Sequence, residues 1–119
     1  MACHGGPDIV EDNLVLFLDA GNTKSYSDGD TTWTDISSNE NNATLVNGVG
    51  YSSNDGGSLT FDGANDYVSE TSALSDSFLQ GNYSISFWIK FDVISTSASS
   101  NTDRALLHHG SSSSNAGLH

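Results

Sequence analysis

The chain has 119 residues, 35% of them apolar, and 15 Asp or Glu residues against three Lys or Arg residues give it a formal net charge of -12. This length fits one domain, and a composition poor in Glu and Lys but rich in turn-forming residues favours an all-β protein. So much negative charge repels nucleic-acid phosphates and anionic membranes, which excludes both as partners, but it repels neither divalent cations nor neutral sugars.

The N-terminal segment carries no recognisable targeting signal. The opening MACHGGPDIVEDN lacks the basic region and the long apolar region of a signal peptide, and no apolar run approaches the ~20 residues that span a bilayer. Cys3 is the only cysteine, so an intrachain disulfide is excluded. We therefore predict an N-terminal arm over residues 1–12 and a single domain over 13–119, released without a standard secretion signal.

The first predicted strand is the apolar run Leu14–Leu18, which ends at the turn residues 19–22. A continuous apolar run of this length favours a strand that is covered on both faces. A polar loop follows over 21–42, with a short strand or turn near 32–35. Three isolated apolar residues anchor this loop: Tyr26, Trp33 and Ile36.

The middle of the chain alternates short strands with turns. Ala43–Val46 is predicted as a strand that ends at the Asn47-Gly48 turn. Residues 54–57 form the next turn, and the alternation in Ser58–Phe61 predicts a half-buried strand. Tyr67 and Val68 begin the strand that we expect to pair with it.

The clearest pattern is strict alternation over Tyr83–Val93, which predicts a long strand with one face in the core. Trp88 is the one large aromatic residue on the polar face. It either packs under a neighbouring loop, as Trp commonly does, or serves as an aromatic platform for a sugar ring or a partner protein. A helical turn within 70–82 and a further strand over 104–109 complete the prediction.

Four stretches together resemble a known family: NLVLFLDAGNTKSYSDGDTTWTDIS, NNATLVNGVGY, GGSLTFDGANDYV and NYSISFWIKF. They are similar to the laminin-G-like, concanavalin-A-like jelly-roll domains at the N-terminus of bacteriophage structural and tail proteins. The resemblance implies an antiparallel β-sandwich. It also implies more strands than the six to eight that we count, so we expect neighbouring subunits to complete the sandwich.

The sequence contains no set of residues typical of an enzyme active site. Glycan hydrolysis needs two carboxyl groups on either side of one bond, but Glu11, Glu40 and Glu70 are each isolated in a polar segment. There is no Gly-x-Ser-x-Gly motif. His108 and His109 would point to opposite faces of one strand and could not share a metal. We therefore predict a protein without enzymatic activity.

The segment FDGANDYV, residues 61–68, has two interpretations. Asp62, Asn65 and Asp66 offer the hard oxygen ligands that calcium prefers. Asp28 and Asp30 form a second acidic cluster. The Asp62-Gly63 pair is equally typical of a hairpin turn without metal, and the spacing departs from the EF-hand pattern. A turn is the main prediction, and calcium is the alternative.

Two functions follow from these patterns. The first is a non-enzymatic bacteriophage virion protein, a β-sandwich subunit on a capsid or tail that binds copies of itself or other virion proteins at the particle surface. The alternative is a carbohydrate-binding module for attachment to host-surface glycans. Its candidate stacking residues are Trp88, Trp33 and Tyr67.

Overall fold

The computed structural model describes residues 10–70, residues 80–92 and Leu107. The chain divides into two compact units, Met1–Gln80 and Gly81–His119. The arm over 1–12 and the single domain over 13–119 stay predictions. No helix among the described residues has the length and apolar character needed to cross a membrane.

The described part of the first unit, residues 10–70 and Gln80, contains five short strands and one 3-10 helix, Asn54–Gly56. The strands are β1 (Thr32–Trp33), β2 (Ala43–Val46), β3 (Gly50–Ser52), β4 (Ser58–Thr60) and β5 (Tyr67–Ser69). They form two antiparallel sheets, one in the order β1-β2-β5 and one that pairs β3 with β4. The all-β prediction is confirmed at this level for the described residues.

The register of the larger sheet separates its side chains into two faces. Trp33 pairs with Ala43, and Leu45 pairs with Val68; directly paired residues share a face, and neighbours along a strand alternate. Ala43 is 0% exposed and Leu45 is buried as well, so this face is the inner one. The opposite, outer face carries five residues: Thr32, Thr44, Val46, Tyr67 and Ser69.

The β3–β4 hairpin packs against the loop that follows residue 18. Gly57 has a φ of 104°, and a Cβ atom on it would lie 2.7 Å from the Cα atom of Gly21. Only glycine suits that conformation and that close approach. Nearby, the ring of Tyr51 lies 5.3 Å, centroid to centroid, from the ring of the buried Tyr26. These contacts join the hairpin to the long loop before β1.

A buried carboxylate, Asp35, organises that long loop. One of its oxygens accepts hydrogen bonds from the backbone N–H groups of Phe17 and Ser37, both at 2.8 Å. The other accepts from the Ser37 hydroxyl at 2.7 Å and from the Asn41 N–H at 2.9 Å. Asp35 is only 4% exposed. Four donors therefore satisfy a charge that would otherwise be costly to bury.

The predicted strand at Leu14–Leu18 is wrong. The segment is half-buried but has no strand assignment. Side chains, not a neighbouring strand, satisfy its first carbonyl groups: the Asn39 amide donates to Leu14 at 2.7 Å, and the Asn41 amide donates to Val15 at 2.9 Å. An apolar run indicates burial, but a strand also needs a neighbouring backbone.

The predicted strands at Ala43–Val46, Ser58–Phe61 and Tyr67 onward are confirmed as β2, β4 and β5, with small differences at the ends. The expected pairing of β4 with β5 is wrong, because β5 pairs with β2. Residues 61–66 therefore connect two different sheets and do not close a hairpin. The local pattern indicates a strand, but it does not identify the partner.

In the second unit, the predicted strand over 83–93 is not assigned in the part that is described, residues 81–92. The side chains expected in the core are between 41% and 55% exposed: Tyr83, Ile85, Phe87, Ile89 and Phe91. Alternation of apolar and polar residues favours an extended backbone with one apolar face. A stable β-sheet also requires a second strand that pairs with it. The predicted strand at 104–109 lies outside the described residues apart from Leu107, and most of the 70–82 segment does too.

Replacing Asp35 should destabilise the first unit strongly. Asp35→Ala leaves buried N–H groups without an acceptor, so we expect the free energy of unfolding to fall by about 3 kcal/mol. Asp35→Asn keeps one carbonyl oxygen but places an amide opposite the Asn41 N–H, and should cost about 2 kcal/mol. Urea denaturation measures both. The exposed Asp28→Asn is the control and should change stability by less than about 0.5 kcal/mol; a loss as large as that of Asp35→Asn would contradict the role given to Asp35.

The same carboxylate should make stability depend on pH. Burial raises the pKa of Asp35, but the hydrogen bonds from Phe17, Ser37 and Asn41 together outweigh burial and hold the pKa below its ordinary value of 3.8. A carboxyl with a lowered folded-state pKa stabilises the protein above its unfolded pKa and loses that contribution as pH falls through the folded pKa. The stability difference between wild type and Asp35→Asn should thus persist from neutral pH to about pH 4 and shrink below it. A difference that stays constant into strong acid would contradict this.

Candidate functional site

The three candidate stacking residues lie in three different environments. Tyr67 is on the outer face of the β1-β2-β5 sheet and is 52% exposed. Trp33 is on the inner face, half-buried beside Ala43. Trp88 belongs to the second unit and is fully exposed. Because Trp33 and Tyr67 point to opposite sides of one sheet, the structure does not bring them together into one platform.

Trp33 is the least suited of the three to meet a ligand from solvent. Its indole Nε1 is buried, and in the described part of the chain it has no hydrogen-bond partner. Its cross-strand neighbour Ala43 is fully buried. The ring therefore packs as an inner-face residue in this structure, and its role as a sugar platform stays a prediction.

The sequence left two environments open for Trp88, one buried and one exposed, and the structure shows the exposed one. Its side chain is fully exposed, so it does not pack under any loop of the described residues. Both of its immediate neighbours, Phe87 and Ile89, are about half exposed. An aromatic platform at Trp88 stays a prediction.

Tyr67 stands beside a row of hydroxyl groups. Thr32 pairs with Thr44, and Thr44 pairs with Ser69, so these three side chains lie side by side across three strands on the outer face. Val46 and Tyr67 form the next pair along the sheet. We call these five residues the hydroxyl face. Neighbouring strands are about 4.8 Å apart, so the row spans about 10 Å.

Thr32, Thr44 and Ser69 could not be singled out in the sequence. Thr and Ser are common in strands, and in this chain they are abundant everywhere. Their adjacency depends on the pairing of β2 with both β1 and β5, which local patterns do not reveal. The one available signal was the alternation in Ala43–Val46, which places Thr44 on the polar side.

The 61–68 segment forms a turn held by its own side chains. The Asp62 carboxylate accepts a hydrogen bond from the Ala64 N–H at 2.7 Å, and the Asp66 carboxylate accepts from the Asp62 N–H at 3.0 Å. The Asn47 amide donates to the Asn65 carbonyl at 2.7 Å and so attaches the turn to the end of β2. The prediction of a turn is confirmed, although this turn connects two sheets.

The structure brings Asp62 and Asp66 close together, as the calcium hypothesis requires. However, the hydrogen bonds of the turn already engage one oxygen of each, whereas calcium takes six to eight oxygen ligands. No group of three or more His, Cys, Asp or Glu residues suited to a metal occurs among the described residues. Calcium at Asp62, Asn65 and Asp66 stays a prediction.

The second acidic cluster lies next to a buried phenol. Burial raises the pKa of Tyr26, and the negative charges of Asp28 and Asp30 raise it further. Both carboxylates are exposed. They therefore act on Tyr26 through their charge and are not packed around a common centre.

Comparison with known proteins identifies the family. Residues 30–112, well over half of the chain, match the family described as Clostridium neurotoxin, N-terminal receptor binding. The chain belongs to this family. The matched range contains both sheets, the hydroxyl face and Trp88. A search of curated proteins found no match, and neither did a search of solved structures.

This family corrects two predictions. The resemblance to the laminin-G-like domains of bacteriophage proteins is wrong, and so is the function as a virion structural protein that rested on it. The stretches that carried the resemblance are short strands separated by Gly, Asn and Asp turns. Such patterns constrain a β-fold more than they constrain ancestry or function. The match to a receptor-binding family agrees better with the alternative, carbohydrate binding.

Two substitutions at Asp62 separate a turn from a calcium site. Asp62→Asn retains the oxygen that accepts from Ala64 and should preserve stability, whereas Asp62→Ala should cost about 1 kcal/mol. The change in the free energy of unfolding of each variant should be the same in millimolar calcium and in a chelator. Urea denaturation under the two conditions tests this. Stabilisation by calcium that both Asp62→Asn and Asp66→Asn abolish would contradict the turn and support the metal.

Proposed function

We propose that this protein is a non-enzymatic receptor-binding module and that its receptor is a glycan on a cell surface. The observation that carries the proposal is membership of a receptor-binding family over residues 30–112. The module would act outside the cell that makes it. A virion surface as its location, and an oligomer as its assembly, stay predictions.

The charge of the chain supports a glycan receptor. A protein with a net charge of -12 is repelled by nucleic acids and by anionic lipid surfaces. A neutral glycan meets no such repulsion. Sugar recognition also uses hydroxyl groups as paired donors and acceptors together with an apolar ring surface, and the first unit carries both at Tyr67 and the neighbouring hydroxyls.

A β-sandwich of the jelly-roll type is our proposal for the complete fold. Two separate antiparallel sheets within the first unit are consistent with two layers. The larger sheet has a buried face and an exposed one, and this is the pattern of a sandwich layer whose outer surface is available for binding. Antiparallel sandwiches host many binding proteins, so this fold is compatible with the function but does not identify it.

Binding of the labelled chain to cultured cells tests the function. We expect saturable binding that mild periodate oxidation of the surface sugars abolishes and that protease treatment of the cells largely spares, because the receptor is a glycan. Mock-treated cells are the control. Binding that survives periodate and disappears after protease treatment would replace the glycan by a protein receptor. Absence of saturable binding to any cell type would overturn the proposal.

A further inference from the structure

We propose that the hydroxyl face is the binding site and that its ligand is a neutral, pyranose-containing glycan. This inference rests on the proposed glycan-binding function and adds to it a place on the protein and a class of sugar. It uses Thr32, Thr44 and Ser69 as the polar row and Tyr67 as the aromatic platform.

The spacing of these side chains suits a sugar chain. The row of three hydroxyls follows the hydrogen-bonding direction of the sheet and spans about 10 Å, enough for two linked sugar rings. Tyr67 lies two residues from Ser69 along β5, about 7 Å along the strand. One ring can therefore stack on Tyr67 while the edge hydroxyls of the same ring or the next one reach Ser69 and Thr44.

The chemistry of the face also suits a sugar. Each Ser or Thr hydroxyl can both donate and accept a hydrogen bond, as sugar hydroxyls do. The hydrogen bonds found among the described residues do not use the hydroxyls of Thr32, Thr44 or Ser69, so their capacity is available to a ligand. Tyr67 and Val46 add an apolar surface against which the C–H face of a pyranose can pack.

Charge decides between neutral and acidic sugars. The hydroxyl face contains no charged side chain, whereas the chain as a whole has a net charge of -12. The field of the protein repels sialylated or sulfated glycans, and the face supplies no Arg or Lys to pair with their acidic groups. A neutral hexose or N-acetylhexosamine oligosaccharide meets neither obstacle.

The sheet provides a rigid support for these side chains. Thr44 lies at the centre of the row because β2 is the central strand and pairs on both sides. Its neighbours Ala43 and Leu45 point inward and are buried. The register that buries these two side chains also sets the spacing of the outer row, so the site requires no rearrangement on binding.

The test is a binding titration against immobilised neutral oligosaccharides and sialylated versions of the same core sugars. Tyr67→Ala should weaken binding of the neutral sugars about tenfold, because the platform is lost, and Tyr67→Phe, which keeps the ring, about twofold. Thr44→Val removes the central hydroxyl but keeps the shape of the side chain, and it should weaken binding about fivefold. The exposed Thr60→Val on β4 is the matched control and should bind like wild type.

Other results of this titration would overturn the site, the class of sugar or the function. If wild type binds neutral sugars but Tyr67→Ala and Thr44→Val bind equally well, or if Trp88→Ala alone abolishes binding, the hydroxyl face is overturned and the glycan function stands. A preference for the sialylated sugars overturns the ligand class. If wild type binds no glycan at all, the proposed function itself fails. Should Tyr67→Ala not fold, as judged by circular dichroism, Tyr67→Phe and Thr44→Val decide the question.

Discussion

The buried carboxylate of Asp35 is the interaction on which the first unit depends. It joins the backbone at Phe17, 18 residues earlier in the chain, to the backbone at Ser37 and Asn41, because all three N–H groups donate to it. Its own N–H donates to the Asn42 side chain at 2.9 Å, immediately before β2. One charged group thus fixes the path of the chain between β1 and β2, which lets two very short strands pair in one register. The buried hydrophobic residues among those described are only Tyr26, Ala43 and Leu45. A protein with so small a core relies on polar centres such as Asp35 more than one with a larger core would.

The register of β2 connects this stability to function. Its alternation places Ala43 and Leu45 inward and Thr44 outward, and pairing on both sides aligns Thr44 with hydroxyls on β1 and β5. A shift by one residue would bury the hydroxyls and expose the apolar side chains. The energetic demand for an inner apolar face therefore also produces an outer polar one. The binding surface is a consequence of folding, and Tyr67 alone gives it an aromatic component.

The sequence predicted local structure better than it predicted neighbours. Ala43–Val46 alternates and ends at Asn-Gly, so the strand and its end were clear. The turn at Asp62 was predicted from the Asp62-Gly63 pair. The partner of β5 and the adjacency of Thr32, Thr44 and Ser69 depend on long-range pairing, which no local pattern contains. The role of Asp35 was not evident in the sequence, because one of its donors, Phe17, lies 18 positions away. The alternation at 83–93 predicts a strand with one apolar face, yet a sequence pattern cannot supply the second strand with which it would have to pair.

Binding of a neutral glycan at the outer face of the β1-β2-β5 sheet is what links this fold to its proposed function. The most direct measurement is a titration of the isotope-labelled chain with a neutral oligosaccharide, followed by the shifts of its backbone amide resonances. The largest shifts should fall on Thr32, Thr44, Tyr67 and Ser69, while the resonances of the 3-10 helix Asn54–Gly56, between β3 and β4, should not move. Shifts confined to residues 81–92 around Trp88, or no shifts at saturating sugar, would contradict the claim.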